Sequence, residues 1–361
     1  MVTKIYFTPG PSELYPTLAS HMQTALANKI GTISHRSKQF QEIYKHTTDG
    51  IRMLLNLPDN YQILFLGSAT EIWERIIQNC VETHSHHFVN GSFSKRFYEF
   101  SLELGKTAQK SEAAFGQGFY PENIHINSEI EAICLTQNET SSGVCMPVND
   151  ISSFRAKNEN ALIFVDSVSS LPFPDFDYSK IDSTFFSVQK CFGLPAGLGV
   201  WILNERCIAK AKQLEEKGIK TGTYHTVSSL MEKAVENQTP ETPNVINIYL
   251  LGKVIEDMLA KGIETIRKET ETKASLIYDY INSSKVFSPA VADTDHRSST
   301  TIVANTSISS AEVNKLLATY NMQVGSGYGK YKDSQIRIAN FPAHSVDQVK
   351  LLVSTLQELF G

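Results

Sequence analysis

The chain has 361 residues, 41% of them hydrophobic and 20% charged, with 33 basic and 38 acidic side chains giving a formal net charge of −5. That length exceeds what one small core organises and points to about two domains, while the mild acidity offers no footprint for nucleic acid or an anionic membrane. Cys80, Cys134, Cys145, Cys191 and Cys207 are odd in number, sit mostly in apolar surroundings and lack metal-ligand spacing, as expected of reduced thiols in a cytoplasmic protein. The opening Met1-Val-Thr-Lys-Ile5 lacks the basic-then-apolar pattern of a signal peptide, and no uncharged run approaches the ~20 residues of a membrane span.

In chain order, Thr8-Pro-Gly-Pro11 predicts a rigid, extended start, because proline fixes φ and restricts the residue before it. Helical spacing follows from about Leu18 to Leu26 and, with good period, from Phe40 to Leu55. Ahead of the second helix stands Ser34-His35-Arg36, a pair as readily solvated as functional. Tyr61–Leu66 reads as a strand running through Gly67-Ser68-Ala69-Thr70-Glu71 into a helical stripe of Ile72, Trp73, Ile76 and Ile77. A strand, a turn of small residues and a helix N-terminus make an anion site, or simply a capped βα turn. Trp73 is assigned to the core by its place in the stripe.

His84, His86 and His87 are placed in a loop before the strand Phe88-Val89, without a carboxylate or thiol at ligand spacing, so no metal is expected. Asn90-Gly91-Ser92-Phe93 follows. Ala132–Thr136 reads as another strand, leading to Asn138-Glu139-Thr140-Ser-Ser-Gly143, which alone is an ordinary Asx or ST turn.

The densest chemistry lies further on. Ala161-Leu-Ile-Phe-Val-Asp166 reads as a central parallel strand that delivers a carboxylate at its C-terminal edge, where open α/β sheets bind ligands. Thr184–Val188 is a second buried run, followed by Gln189-Lys190 and a loop with Gly193, Gly197 and Gly199. Burying an ammonium costs several kcal/mol even after relaxation, so Lys190 calls for a partner, a route to solvent or a task. Snorkelling is the plain alternative for the Lys, as helix capping is for the Asp. Together the two fit pyridoxal 5'-phosphate (PLP), the Lys as Schiff base and the Asp against the pyridinium nitrogen.

Val200–Leu203 is predicted to return as a strand at the sheet edge, with helix-prone residues 205–217 behind it. Gly222–Asn244 is polar and turn-rich and closes on Glu241-Thr242-Pro243, a Thr-Pro helix start. A long helical stretch over about Val245–Ile281 hands the chain to a small unit with strands near 300–304, 322–324 and 335–339 and helices near 310–320 and 346–359. Arg337 stands among Ile336 and Ile338; a partly buried Arg needs a carboxylate or phosphate, and its fork suits bidentate binding. Gly325-Ser-Gly327-Tyr-Gly329-Lys330 is glycine-rich but opens no helix, so it supports no nucleotide fold.

Asp166, Ser187-x-Gln189-Lys190 and Gly193-x-Pro195-Ala-Gly197 together resemble the class V aminotransferases of the fold-type I PLP enzymes, nearly end to end, and within them the phosphoserine subfamily. The resemblance implies an α/β fold: a large domain over residues 1–250 around a mostly parallel seven-stranded sheet, and a small C-terminal α+β domain over 251–361, with residues 1–15 packing near the latter. It implies that the cofactor phosphate sits on Ala69 and Thr70, that Phe93 (usually Trp in the subfamily) lies on the ring, and that Thr140 donates to the cofactor held by Asp166, Gln189 and Lys190. It also implies a homodimer with shared sites in which a neighbouring subunit lends Thr242. Arg337 would clamp the substrate α-carboxylate, and His35, Arg36 and Lys330 the distal anion.

The implied reaction is ping-pong transamination between glutamate/2-oxoglutarate and phosphoserine/3-phosphohydroxypyruvate, with only small amino and oxo acids as substrates, no nucleic acid and no membrane. The chain departs from the subfamily where a Gly-Arg step is usual at the 67–71 turn, where Glu241 replaces an Asn, and where Lys330-Tyr331 replaces a His-Arg pair. A class V enzyme for alanine, serine or glyoxylate would share every cofactor residue. A lyase of the cysteine desulfurase type needs a Cys nucleophile in a mobile loop, and no Cys follows Cys207.

Overall fold

The computed structural model describes residues 4–361. Its elements in chain order begin with β1 (Ile5–Phe7), α1 (Leu18–Ala27), α2 (Lys38–Leu55), β2 (Tyr61–Leu66), α3 (Ala69–Cys80), β3 (His84–Val89), α4 (Ser92–Glu103) and β4 (Thr107–Glu112). They continue with β5 (Ala132–Thr136), β6 (Asn138–Glu139), β7 (Val144–Cys145), α5 (Val148–Lys157), β8 (Leu162–Asp166), β9 (Ser183–Ser187), β10 (Gly199–Asn204), α6 (Glu205–Glu216), α7 (Val227–Ala234), α8 (Val245–Lys261) and α9 (Ile263–Ser283). Last come β11 (Phe287–Pro289), β12 (Thr301–Thr306), α10 (Ser310–Ala318), β13 (Met322–Ser326), β14 (Gln335–Ala339) and α11 (Val346–Phe360).

The large sheet has seven strands in the order β2-β10-β9-β8-β5-β3-β4. β9, β8, β5, β3 and β4 pair in parallel, and β10 runs antiparallel to both β9 and β2. β5, β8, β9 and β10 are buried on both faces, which explains the apolar runs there, whereas the edge strand β4 is polar and half-exposed. Successive residues point to opposite sides: Ile63, Phe65, Ile163 and Val165 join the core under α1, α2 and α8, while Leu64, Leu66, Leu162 and Phe164 join the core under α3, α4 and α6. Leu251, Val254, Ile255 and Met258 of α8 belong to the former core.

The five-stranded sheet runs β1-β13-β14-β12-β11, with α9, α10 and α11 supplying its core. β1 enters it from the start of the chain, Phe7 opposite Val324 in a parallel pair. The segment after β1 then crosses to the large sheet, where the Ser12 N–H donates to the Gln189 carbonyl at 3.2 Å.

Several expectations change. β10 is an interior strand and β2 takes the edge; every residue of β10 is buried, which an edge strand would not require. The three histidines stand in β3 itself, not in a loop before it. The buried His86 and His87 rings meet the hydroxyls of Ser111 (2.9 Å) and Ser85 (3.0 Å) through Nε2, while each Nδ1 is buried without a partner among the described residues, so they are polar core residues bonded on one side. α7 forms inside the polar 222–244 segment, started by the Thr226 hydroxyl accepting from the Ser229 N–H. The helical stretch after 245 is two helices, parted at Gly262.

Candidate active site

β8 ends at Asp166, β9 at Ser187, β5 at Thr136 and β3 at Val89. Because these strands are parallel, their C-terminal ends lie along one edge, the ligand-binding edge of an open α/β sheet. A cavity of about 110 Å³ opens there, lined by Thr70, Trp73, Phe93, Asp166, Gln189 and Lys190 among others. That is of the order of the ~150 Å³ that accommodates a benzene ring. A wider hollow at residues 125–130 and 157–161 lies at the opposite, N-terminal edge of β5 and β8.

Asp166 is buried. Its Oδ2 accepts from the Trp73 Nε1–H at 2.9 Å and its Oδ1 from the Val168 N–H at 3.0 Å. Burial pushes its pKa up to about 6, against the pull of the Val168 N–H, Lys190 and Trp73. Lys190 lies just past β9, where its carbonyl accepts from the Gly193 N–H at 3.0 Å. That turn needs φ +63° at Gly193, and a Cβ there would meet the Tyr15 backbone N at 2.6 Å, so only glycine fits. At Gly10 (φ +137°) a Cβ would press on Lys190 Cε at 3.0 Å, which shows how closely the N-terminal segment covers the lysine.

Lys190 Nζ donates to Thr140 Oγ1 at 3.0 Å and stands 5.1 Å from the Phe93 ring centroid. Burial pushes its pKa down to about 8, opposed first by Asp166. For both groups desolvation outweighs mutual attraction. The consequence is a lysine with appreciable free amine near neutral pH, the form that adds to a carbonyl.

Phe93 is fixed from below by Glu139, a residue to which the sequence reading gave no role of its own. The buried Glu139 carboxylate accepts from the Ser94 N–H (2.8 Å), the Ser94 hydroxyl (2.8 Å) and the Ser141 hydroxyl (2.6 Å), which ties the first turn of α4 to the 138–143 turn. Arg337 donates through Nε to the Ser326 carbonyl at 2.8 Å and through Nη1, at 3.4 Å, to the Thr140 carbonyl. It has no carboxylate partner among the described residues, and burial lowers its pKa. Tyr328 packs on both Arg337 and Phe93, each at 5.3 Å.

At the α3 N-terminus the Ser68 hydroxyl accepts from the Glu71 N–H at 3.1 Å. The Ala69 N–H donates to Ser187 Oγ at 2.8 Å, leaving the Thr70 N–H without a partner among the described residues. Gln189 Oε1 and Asn138 Oδ1, both at the cavity, are buried and unpartnered.

The structure does not bring His35, Arg36, Thr242 or Lys330 into this cavity. Arg36 spends its guanidinium on Gln238 Oε1 (2.7 Å) and the carbonyls of Thr239 (2.8 Å) and Pro240 (3.0 Å). Thr242 Oγ1 is 3.4 Å from His35 Nδ1, and Thr242 lines a separate hollow with Gly67, His225 and Glu241. Lys330 lies over its neighbour Tyr331, which stacks on Phe115.

Beside that hollow, the buried His225 bridges Glu71 (2.5 Å) and Glu241 (2.6 Å) with a backbone φ of 52°. Burial opposes its charge, yet hydrogen bonds and charge from Glu241 and Glu71 prevail and push its pKa up to about 9. Sequence reading also missed Trp73, whose lone polar atom, an indole N–H in an apolar stripe, was the available signal, since a buried indole N–H seeks an acceptor.

The model of the family Aminotransferase class-V matches residues 116–332. The chain belongs to the class-V aminotransferases. It is 66% identical to a phosphoserine aminotransferase of Cytophaga hutchinsonii, whose crystal structure covers 100% of both chains with a TM-score of 0.99. It is 26% identical over 354 residues to the phosphoserine aminotransferase of Rhodococcus opacus (strain B4), covering 97% of this chain and 93% of that one. An aspartate aminotransferase from Thermus thermophilus shares the fold with a TM-score of 0.85 at 20% identity, over 98% of each chain.

Proposed function

We propose that the chain catalyses PLP-dependent transamination between O-phosphoserine/3-phosphohydroxypyruvate and glutamate/2-oxoglutarate, the amino-transfer step of serine biosynthesis. The observation that carries this reading is the 66% identity, end to end, with a phosphoserine aminotransferase of the same backbone. The cavity fits the cofactor on its own chemistry: a buried carboxylate, a buried amine of lowered pKa, an aromatic face, a partnerless helix N–H and unpartnered amide oxygens.

PLP, when bound, supplies the electron sink that lets the substrate Cα–H bond break. Asp166 would hold a proton on the ring nitrogen, and Phe93 would cover the ring. Thr70 offers its N–H to the phosphate at the positive end of α3. Lys190 would hold the cofactor through its amine and, when that amine is free, would move the proton at the substrate Cα, for which a pKa of about 8 suits it. Arg337 clamps the α-carboxylate with the donors that the Ser326 and Thr140 carbonyls leave free.

The enzyme acts as a homodimer with shared sites. What supports this is that His35, Arg36 and Thr242 lie together on one surface outside their own chain's cavity, placed to be lent to a partner. The five free cysteines, four of them buried, support a reducing, cytoplasmic setting.

A second reading, transamination of alanine, serine or glyoxylate, draws on one observation: Arg36 is already committed to three acceptors in its own chain. Steady-state kcat/KM for O-phosphoserine, alanine and serine separates the two. The proposal expects O-phosphoserine to lead by orders of magnitude; a lead for alanine or serine establishes the second reading instead.

A further inference from the structure

Trp73 stands in an apolar helical stripe, yet its one polar atom does not face the core. The Nε1–H donates at 2.9 Å to Asp166 Oδ2, while the other carboxylate oxygen takes the Val168 N–H at 3.0 Å. One donor on each oxygen, one from α3 and one from the chain following β8, fixes the plane of the carboxylate. Each oxygen keeps a lone-pair site for a further partner. The indole is itself held: it stacks on Phe97 (5.7 Å between centroids, 15° between planes) and meets Phe100 edge-on (5.9 Å, 74°). Lys190 favours the ionised carboxylate through its charge but makes no hydrogen bond to it, because its Nζ donates to Thr140.

A carboxylate this deep loses the solvation that keeps it ionised, and a protonated Asp166 could not draw a proton onto a ring nitrogen. A hydrogen bond to the ionised form opposes that loss. We propose that Trp73 is a positioning residue for the reaction: its indole N–H fixes the orientation of Asp166 and holds it as the anion that meets the cofactor's ring nitrogen. The inference rests on the PLP reading above. It accounts for a tryptophan in this stripe where leucine or phenylalanine would fill the same core.

Two measurements test it. Trp73→Phe keeps the stacked ring and removes only the donor, and its binding is compared for PLP and for the 1-deaza analogue, in which CH replaces the ring nitrogen. Affinity for PLP is expected to fall about ten- to hundredfold, the worth of one hydrogen bond to a charged group, with little change for the analogue. Equal losses for both, or no loss for either, would make Trp73 a packing residue and overturn the proposal. Wild-type protein that binds neither molecule would instead remove the PLP reading itself, and this inference with it.

The second measurement uses cofactor-free protein. The chain has two tryptophans, Trp73 and Trp201, so Trp201→Phe leaves Trp73 as sole reporter. Its fluorescence should titrate with a midpoint of about 6 as Asp166 gains its proton, and Asp166→Asn in that background should flatten the curve. A pH-independent signal, or a titration that survives Asp166→Asn, contradicts the contact.

Discussion

Arg337→Lys separates the two anions that a phosphoserine pocket must hold. Arg337 gives Nε to the Ser326 carbonyl and makes a long Nη1 contact with the Thr140 carbonyl, so the guanidinium is anchored by its inner donors and presents the outer ones. A lysine keeps the charge but has no fork, and cannot hold the Ser326 carbonyl and a substrate carboxylate in the same geometry. Losing one charge-assisted hydrogen bond of a bidentate pair costs roughly 1.5–3 kcal/mol, which lowers affinity about ten- to a hundredfold. Because every amino-acid substrate carries the α-carboxylate, kcat/KM for O-phosphoserine and for glutamate should fall by similar factors, mostly through KM. Cofactor affinity should hold. A loss confined to O-phosphoserine would move Arg337 to the distal phosphate, and a loss of cofactor would make it a structural strut; either result refutes the clamp.

Lys190→Ala should yield protein that borohydride no longer links to the cofactor, with turnover abolished; an adduct at another lysine with near-normal rate contradicts the assignment. His225 carries a pKa raised to about 9 from an unfolded value of about 6.5, so the folded state binds its proton more tightly. Its contribution to stability is then complete below pH ~6.5 and lost as pH climbs through about 9. Wild-type Tm should fall over that window more steeply than the Tm of His225→Gln, whereas parallel curves would show the Glu71–His225–Glu241 bridge to be silent. Thr242→Val should loosen the cofactor across subunits, so hybrid dimers carrying Thr242→Val on one chain and Lys190→Ala on the other should reveal which site each residue serves; a fully active monomer at low concentration excludes sharing.

How much of this was legible in the sequence follows from which forces are local. The runs ending at Asp166 and Ser187 were readable because strands buried on both faces must be apolar throughout, and a charged residue at the end of such a run stands out. β3 was cut short because His84, His86 and His87 are polar, and only the fold supplies the Ser85 and Ser111 hydroxyls that meet the buried His86 and His87. The interior place of β10 depends on pairing with β2, far away in sequence, which periodicity does not encode.

The site divides along the same line. Periodicity reports that Trp73 is buried but not what its N–H meets, and the Glu139 brace under Phe93 exists only once β6 and α4 come together. His35, Arg36 and Thr242 entered through resemblance alone. Nothing in their local sequence says that they gather on a surface outside their own cavity.

The most direct measurement is a single half-reaction. Protein loaded with PLP is mixed with O-phosphoserine in the absence of any oxo acid, and the absorbance of the lysine-linked cofactor is followed as it gives way to the amine form. Glutamate, alanine and serine are run alongside. Rapid, complete conversion by O-phosphoserine and glutamate, with alanine and serine slower by orders of magnitude, is the predicted result. Faster conversion by alanine or serine, or a cofactor spectrum that O-phosphoserine leaves unchanged, would contradict the assignment.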